Sequence, residues 1–220
     1  IYISWGEHDL TENICHLVLA RLPNSKRGTA GISLFLVPKF IPCGNKGIGK
    51  RNNVTALSIE KKMGLHGSPT AVMEYKNAKG WIIGEPNGGM AAMFTMMNNA
   101  RLGVGVQGVS QAERAIQKAT FFAKSRKQGK AIVKNGTGSI LDHADVRRNM
   151  LIMKALTFIS RCICLETAVS TDFSKVSGSK DYQAKAAFLT PIAKAFGTDI
   201  GCQVTDLGIQ VHGGLGFIEN

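Results

Sequence analysis

The hydrophobic pattern of this chain changes its period near residue 85, and this change limits the folds open to it more than any other feature. Before residue 85, apolar residues alternate or form short runs that stop at proline or glycine, which is typical of strands. After it, apolar residues recur every three or four positions over long stretches, which predicts long helices. We therefore predict an α+β fold, with a β domain over residues 1–84 and a helical domain over residues 85–220.

Four segments of the first part have the composition of strands. They lie at residues 15–22, 31–38, 54–63 and 71–75 and are rich in β-branched and other apolar residues. Their short connections favour antiparallel pairing. Residues 42–53 contain three glycines and several basic residues, so we predict an exposed loop there. Because the chain starts inside an apolar stretch, we expect this antiparallel β domain to be incomplete at its start.

The second part contains three long helical patterns, near residues 90–126, 144–174 and 181–211. Asp142 is a candidate N-cap for the second helix, and the pair Gly213-Gly214 is expected to end the third. Three long helices with short connections predict a bundle. Such a bundle exposes an apolar stripe that a fourth helix would normally cover, so we expect three of four helices to be present.

The chain is strongly basic, with 27 lysines and arginines, 15 acidic residues and a net charge of +12. Between Glu113 and Asp142 there are seven basic residues, Lys134 among them, and no acidic one. Such a stretch is either a solvated helix face or a surface for an anion, such as a phosphorylated cofactor or a nucleic acid. A nucleic-acid binder is the less favoured hypothesis because the stretch lacks exposed aromatic residues. Phe121 and Phe122 follow the helical pattern and are expected in the core.

Targeting segments and metal sites are not indicated by the sequence. No apolar run reaches the roughly 18 to 20 residues that a membrane-spanning helix needs, and the first residues lack the layout of a signal peptide. The five cysteines have no metal-binding spacing, so we expect reduced, buried thiols. No cluster of histidine and acidic residues has metal spacing either. We expect a structural role for His16 and His66 and an exposed position for His143.

Two glycine-rich motifs have a structural interpretation beside a functional one. Residues 103–108 match G-x-G-x-x-G but lie in a helical pattern without a preceding strand, so they predict a helix face that allows close contact. Residues 212–216 resemble an esterase oxyanion loop, but the chain has no G-x-S-x-G motif to supply a nucleophile. A glycine turn at a helix end can still approach an anion or a flat ring. These residues suggest binding of a flat phosphorylated ligand, without indicating a reaction.

The order of motifs resembles that of the acyl-CoA dehydrogenases, flavoenzymes that oxidise an acyl-CoA thioester to its 2-enoyl-CoA. Each motif alone is a weak signal, but six in the family's order span the chain. They are Tyr2-Ile3-Ser4 with Gly6, residues 60–70 around Gly64 and Ser68, residues 81–90, residues 99–103, Arg126-Lys127-Gln128-Gly129, and residues 206–217 around Gly213-Gly214. The opening residues look most like those of the larger bacterial members.

The resemblance implies a middle β domain and a C-terminal helical bundle, with the family's N-terminal helical domain and last bundle helix absent from these 220 residues. It implies FAD as the cofactor, an acyl-CoA as the substrate, and an electron-transfer flavoprotein or a similar acceptor as the partner. It further implies a homodimer or homotetramer in the bacterial cytoplasm, without nucleic acid, metal or a membrane span. The alternative is a non-catalytic relative that binds flavin or acyl-CoA.

The resemblance also assigns binding residues. On the cofactor side, Tyr2 and Ser4 meet the flavin ring, Arg126 and Gln128 hold its pyrophosphate and adenosine end, and the turn through Gln210, Gly213 and Gly214 approaches FAD from the neighbouring subunit. On the substrate side, the matching residues are Ser68, Asn98 and Arg101. Gly129 stands where the family usually has an aromatic residue, which is a departure at the adenine end.

No residue of the chain is assigned as the catalytic base. The oxidation needs a carboxylate that removes a proton beside the thioester carbonyl. In most members the matching glutamate lies beyond Asn220, and in others it precedes the arginine matched by Arg101, where this chain has Ala100. Glu219 lies too close to the glycine turn to match. We therefore expect the 220-residue chain by itself to be inactive.

Overall fold

The computed structural model describes residues 1–44, 47–133 and 135–219, so Lys134 of the basic stretch lies outside them. The chain forms two compact units, Ile1–Met96 and Met97–Asn220. The strands lie in the first unit, and the long helices lie in the second apart from the start of one. The predicted α+β class is confirmed, while the domain boundary between residues 84 and 85 stays a prediction.

The described part of the first unit contains eight strands, and every pairing between them is antiparallel. The sheets have the strand orders β1-β7-β6, β2-β3-β8 and β4-β5. The strands are β1 (Tyr2–Ser4), β2 (Cys15–Arg21), β3 (Ile32–Pro38), β4 (Phe40–Pro42), β5 (Ile48–Arg51), β6 (Val54–Ile59), β7 (Thr70–Tyr75) and β8 (Trp81–Ile83).

Both three-stranded sheets contribute to the core of the first unit. Burial alternates along the strands, as the two-residue period of a strand requires; in β2, for example, Val18 is buried and Leu17 is exposed. Val18 packs in one cluster with Val54 and Met73 from the other sheet. Burying side chains of this kind stabilises the fold by about 1.5–3 kcal/mol each.

The loop predicted at residues 42–53 is only partly correct. β4 and β5 form a hairpin there, in which Phe40 pairs with Arg51. Asn52 is buried, and its side-chain amide donates to the carbonyls of Pro38 and Lys79, both at 2.8 Å. The hairpin is therefore fixed by an asparagine whose partners are distant in sequence, which a local composition rule does not detect.

His16 has the structural role expected of it. Its Nε2–H donates to the Gly6 carbonyl at 2.8 Å, and its Nδ1 accepts from the Tyr75 hydroxyl at 2.8 Å. Burial lowers the pKa of His16 below its ordinary value, and burial raises the pKa of the Tyr75 phenol to about 12. A neutral His16 ring and a neutral Tyr75 phenol therefore join β2 to β7 through this hydrogen bond.

This arrangement predicts a pH dependence of stability. Because the pKa of His16 is lowered on folding, only the unfolded chain gains a proton as pH falls below 6.5, the ordinary value. The free energy of unfolding should therefore fall with pH from that value down to the lowered pKa of the folded state. Tryptophan fluorescence measures it, since Trp5 and Trp81 both lie in this unit.

The variant His16→Gln should lose that part of the pH dependence, because an amide does not titrate in this range. A matched control is His66→Gln in the same unit, because His66 is exposed and the structural role expected for it is wrong. Equal pH slopes for wild type and His16→Gln would contradict this account.

Three long helices form the second unit, as predicted. They are α1 (Gly89–Ser125), which begins in the first unit, α2 (Ala144–Ser177) and α3 (Lys180–His212). Ala112, Ala119, Met153 and Val204 form the fully buried centre of their packing. Short 3-10 helices cover Thr29–Gly31 in the first unit, Ile140–Asp142 before α2 and Gly213–Gly216 after α3. Within the described chain no helix has the length and apolarity needed to cross a membrane.

Glycines bring α1 and α3 into backbone contact. A Cβ on Gly108 would lie 2.1 Å from the Gly197 carbonyl oxygen, and a Cβ on Gly197 would lie 2.7 Å from the Gly105 carbonyl oxygen. Real Cβ atoms do not approach so closely, so both helices need glycine at these positions. The interpretation of residues 103–108 as a close-contact helix face is confirmed for Gly105 and Gly108, while a Cβ on Gly103 would meet nothing within 4 Å.

Two expectations about the core are wrong. Phe122 is partly buried against the core, but Phe121 is 78% exposed, and with Phe158 at 63% it belongs to an apolar stripe on α1 and α2. Of the five free cysteines only Cys164 is buried. The prediction of buried thiols is thus wrong for the other four, Cys15, Cys43, Cys162 and Cys202.

Candidate functional site

An open cleft in the second unit gathers five of the residues predicted to bind a cofactor. It has a volume of about 710 Å³ and lies where the end of α1, the start of α2 and the end of α3 meet. Arg126, Gln128, Gln210, Gly213 and Gly214 all line it. The other lining residues are Phe122, Gly129, Ile140, His143, Val146, Val211, His212, Leu215 and Ile218.

Arg126 and Gln128 lie in a turn that follows the end of α1 directly. The Arg126 carbonyl accepts a hydrogen bond from the Ile140 N–H at 2.8 Å. Lys127 pairs with Ser139 in an isolated antiparallel bridge. The turn therefore rests on the segment that precedes α2.

His143 holds the second half of this turn. Its Nε2 lies 2.8 Å from the Gln128 carbonyl oxygen, and since a carbonyl only accepts, Nε2 carries the proton. Gly129 has a φ of +68°, which glycine adopts without strain, and a Cβ there would lie 3.5 Å from the His143 ring. The exposed position expected for His143 is wrong, because the ring is half-buried in this contact.

Asp142 does not cap α2, and that prediction is also wrong. His143 occupies the cap position without a side-chain bond. The Asp142 carboxylate instead accepts from the Thr137 hydroxyl at 3.0 Å, the Gly138 N–H at 2.9 Å and Arg147 at 3.4 Å. Burial opposes ionisation, but these bonds lower the pKa of the Asp142 carboxyl below its ordinary value. The carboxylate thus fixes the segment on which the turn after α1 rests.

The end of α3 forms the opposite wall of the cleft. The His212 ring stacks on Phe122 of α1, with ring centroids 4.6 Å apart, and its Nδ1–H donates to the Gly208 carbonyl at 2.7 Å. Gly213 has a φ of +59° and ends the helix, as predicted. Because Gly213 and Gly214 are exposed and lack side chains, a ligand can approach the backbone here.

The chemistry of the cleft suits an anionic ligand with a flat or apolar part. Arg126 is exposed, and within residues 1–44, 47–133 and 135–219 its guanidinium forms no hydrogen bond or ion pair. No acidic residue of the described chain lines the cleft. An unpaired guanidinium matches the geometry of a phosphate, and Ile140, Val211 and Leu215 supply apolar surface beside it.

Tyr2, Ser4 and Ser68 lie in the first unit. Tyr2 and Ser4 occupy the same face of β1, because side chains alternate along a strand, and Tyr2 is 70% exposed. The Ser4 hydroxyl lies 3.0 Å from the Thr70 hydroxyl of the paired strand. Ser68 precedes β7, and its N–H donates to the Leu65 carbonyl at 3.0 Å. The unit therefore presents an aromatic ring and a hydroxyl pair on one exposed strand face.

Asn98 and Arg101 lie on α1, outside the cleft. Arg101 is roughly 36 Å along the helix axis from Ser125, where α1 ends. Its Nη1 donates to Asn98 Oδ1 at 3.3 Å. Ala100 lies between the two and offers no carboxylate.

The sequence analysis missed three rings in the cleft. Phe122 and His212 come from different helices, and His143 was assigned to solvent. Each of them acts through a contact with a residue far away in sequence, so no local signal marks them. The residues that the structure describes include no group of histidine, cysteine and acidic side chains that could hold a metal ion.

Comparisons with known proteins point to one family. The family model described as "Acyl-CoA dehydrogenase, C-terminal domain" matches residues 87–220. The whole chain is 45% identical to the 3-methylmercaptopropionyl-CoA dehydrogenase of Ruegeria pomeroyi, of which it covers 38%. Over 99% of its length it is 36% identical to a butyryl-CoA dehydrogenase of Syntrophomonas wolfei, again covering 38% of that protein. The chain thus spans little more than a third of the length of these curated relatives.

A solved structure agrees in fold. Caenorhabditis elegans ACDH-11, determined in complex with C11-CoA, matches with a TM-score of 0.77 and 24% identity. The match covers 92% of this chain and 33% of that one. At this identity the likeness shows the fold alone.

Proposed function

The chain belongs to the acyl-CoA dehydrogenase family, and from this premise we propose that the protein oxidises an acyl-CoA thioester to the 2-enoyl-CoA with FAD as cofactor. The observation that carries the proposal is the cleft of the second unit. Residues that match the family's cofactor motifs meet there, although α1 and the end of α3 are far apart in sequence. Their chemistry, an unpaired guanidinium beside apolar surface and a bare glycine turn, fits a pyrophosphate joined to flat rings.

In this proposal the cleft binds and orients the cofactor. The Arg126 guanidinium donates to the pyrophosphate, and the Gln128 amide lies toward the adenosine end. Gln210 and the backbone at Gly213 and Gly214 approach the cofactor from the other wall of the same cleft, so we propose that whichever subunit presents this turn to FAD also presents Arg126 and Gln128. FAD, when bound, supplies the hydride acceptor of the oxidation. Holding it in a fixed orientation is the contribution that these residues make to the rate.

The same proposal assigns two residues of the first unit to the flavin ring and one to the acyl-CoA. Tyr2 packs on the flavin ring and the Ser4 hydroxyl donates to it, which is supported by their shared exposed face on β1. The Thr70 hydroxyl, 3.0 Å from Ser4 Oγ, orients that donor. On the acyl-CoA side we assign Ser68 and, on α1, the bonded pair of Asn98 and Arg101.

The partners follow from the same family assignment and are part of the proposal. We propose an electron-transfer flavoprotein or a similar acceptor, a homodimer or homotetramer, and a location in the bacterial cytoplasm. The openness of the cleft supports the oligomer, because a cofactor bound there keeps one side free for a neighbouring subunit.

The test is flavin content and dye reduction. We expect the complete protein that carries this chain to be yellow with FAD and to reduce a dye acceptor when an acyl-CoA is added. The 220-residue chain alone should not, because Ala100 occupies one base position and no described acidic residue matches the other. Proton transfer to a base contributes about 10²–10⁴-fold to such reactions.

Two results would change this conclusion. A colourless complete protein without FAD would overturn the proposed function. Turnover by the 220-residue chain alone would show that the base has been misplaced, and Glu219 would be the first residue to substitute.

A second function is a non-catalytic relative that binds flavin or acyl-CoA, and its basis is that position 100 is alanine and no described acidic residue matches the other base position. It predicts a yellow complete protein that acyl-CoA does not reduce. Bleaching of the flavin by acyl-CoA without oxygen separates the two, because it reports the oxidation without any partner.

A further inference from the structure

The turn at residues 126–129 is exposed at every position, yet it carries two of the proposed cofactor-binding side chains. Its contacts with the rest of the unit, as far as the structure describes them, are few. One backbone pairing joins it to the segment before α2, the bridge of Lys127 with Ser139 together with the hydrogen bond from the Ile140 N–H to the Arg126 carbonyl. Its second half also receives a side-chain contact, the hydrogen bond from His143 to the Gln128 carbonyl.

His143 is itself fixed on both sides. Its N–H donates to the Ile140 carbonyl at 3.1 Å, and its carbonyl accepts from the Arg147 N–H at 3.0 Å, so it joins a 3-10 helix to α2. Its ring also covers Gly129, the residue where the chain turns in the left-handed conformation. The His143 side chain, fixed by the backbone bonds of its own residue, thus contacts the exposed half of the turn at Gln128 and Gly129.

We propose that His143 is a positioning residue, which holds the 126–129 turn in the shape that presents Arg126 and Gln128 to the cleft. The inference rests on the proposed function, because it concerns the same site. It assigns His143 an action through the Gln128 carbonyl, which follows the backbone bridge at Lys127 and precedes Gly129. Without this bond, the Gln128 amide and the Arg126 guanidinium sample more orientations before a ligand arrives, and ordering them reduces affinity.

The test uses two variants of the complete protein that carries this chain. His143→Ala removes the donor and the ring. His143→Gln restores an N–H donor of similar reach without the ring. The exposed His66→Ala in the first unit is the matched control.

The first readout needs no ligand and is amide hydrogen exchange over residues 126–130. We expect exchange there to be faster in His143→Ala by roughly 3- to 10-fold, the range for one lost hydrogen bond. His143→Gln should recover most of the protection, and His66→Ala should not differ from wild type. Unchanged exchange in His143→Ala would overturn the inference.

The second readout is the dissociation constant of FAD, measured by flavin fluorescence. His143→Ala should bind FAD roughly 3- to 10-fold more weakly, with most of the loss recovered in His143→Gln. An affinity of His143→Ala within twofold of wild type, or a glutamine variant as weak as the alanine variant, overturns the positioning role alone. A wild-type protein that binds no FAD overturns the proposed function instead, and the two failures are therefore distinguishable.

Discussion

Replacing Gly108 by alanine is expected to destabilise the helical unit by roughly 1–3 kcal/mol, although alanine is the better helix former. A Cβ on Gly108 would lie 2.1 Å from the carbonyl oxygen of Gly197 and 2.6 Å from its carbonyl carbon. Both are backbone atoms of α3, so no side-chain rotation relieves the clash. The two helices must move apart, and close-packed interiors lose many contacts when they do.

Gly103→Ala is the matched control for this prediction. The same substitution is made in the same helix, but a Cβ on Gly103 meets nothing within 4 Å. It should therefore raise the free energy of unfolding by up to about 1 kcal/mol through helix propensity alone. Loss of helical circular dichroism in urea measures both variants, while the fluorescence of Trp5 and Trp81 reports the other unit. Equal effects of the two substitutions would contradict the close contact between the helices.

The sequence predicts the helical unit well because its signals there are local and repeated. Apolar residues recur every three or four positions through α1, α2 and α3, and each predicted helix boundary lies within about three residues of the observed one. Gly213 ends α3 because a positive φ suits glycine. The prediction fails at Asp142, which has the composition of a cap but uses its carboxylate to hold residues 137–138 instead.

The β unit is predicted less completely because its pairing is not local. Residues 48–51 are rich in glycine and charge, as loops are, yet they pair with β4. The buried Asn52 amide binds carbonyls 14 and 27 positions away and thereby fixes that hairpin. Trp81–Ile83 pairs with β3, and although its three residues favour a strand, the run is too short to predict one by itself.

The residues of the candidate site also fall into two groups, those that sequence motifs identify and those that they miss. The resemblance supplies Arg126, Gln128 and the glycine turn, because these residues form short motifs that can be matched one position at a time. It does not supply His143 or the stacked pair of Phe122 and His212, which depend on contacts between elements that only folding brings together. Motif matching thus finds the groups that we propose to meet a ligand and misses the rings packed beside them.

Replacing Arg126 by alanine is expected to weaken FAD binding by roughly 1.5–3 kcal/mol, or about 10- to 150-fold. The guanidinium lines the cleft, is exposed, and is not paired with any described residue, so no group among those residues competes with a ligand for it. No described acidic residue in the lining offsets its charge. A hydrogen bond to a charged pyrophosphate is about twice as strong as one between neutral groups.

Lys127→Ala is the control that separates this site from general charge. Lys127 is the next residue, carries the same charge and is exposed, but it does not line the cleft. Its pairing with Ser139 uses backbone atoms, so the truncation leaves the turn intact. We expect this variant to bind FAD within about 0.5 kcal/mol of wild type, as for an ordinary surface substitution.

Arg126→Lys adds a third measurement, because lysine keeps the charge and loses the planar fork. If the fork binds the pyrophosphate in two places, Arg126→Lys should recover only part of the affinity lost in Arg126→Ala. If Arg126 contributes only a positive field, lysine should recover nearly all of it, and the loss should shrink as salt is raised. An FAD dissociation constant that changes less than twofold in Arg126→Ala would place this arginine among the solvated charges of the basic stretch. The cofactor assignment of the cleft would then have to rest on the wall formed by Gln210, Gly213 and Gly214 alone.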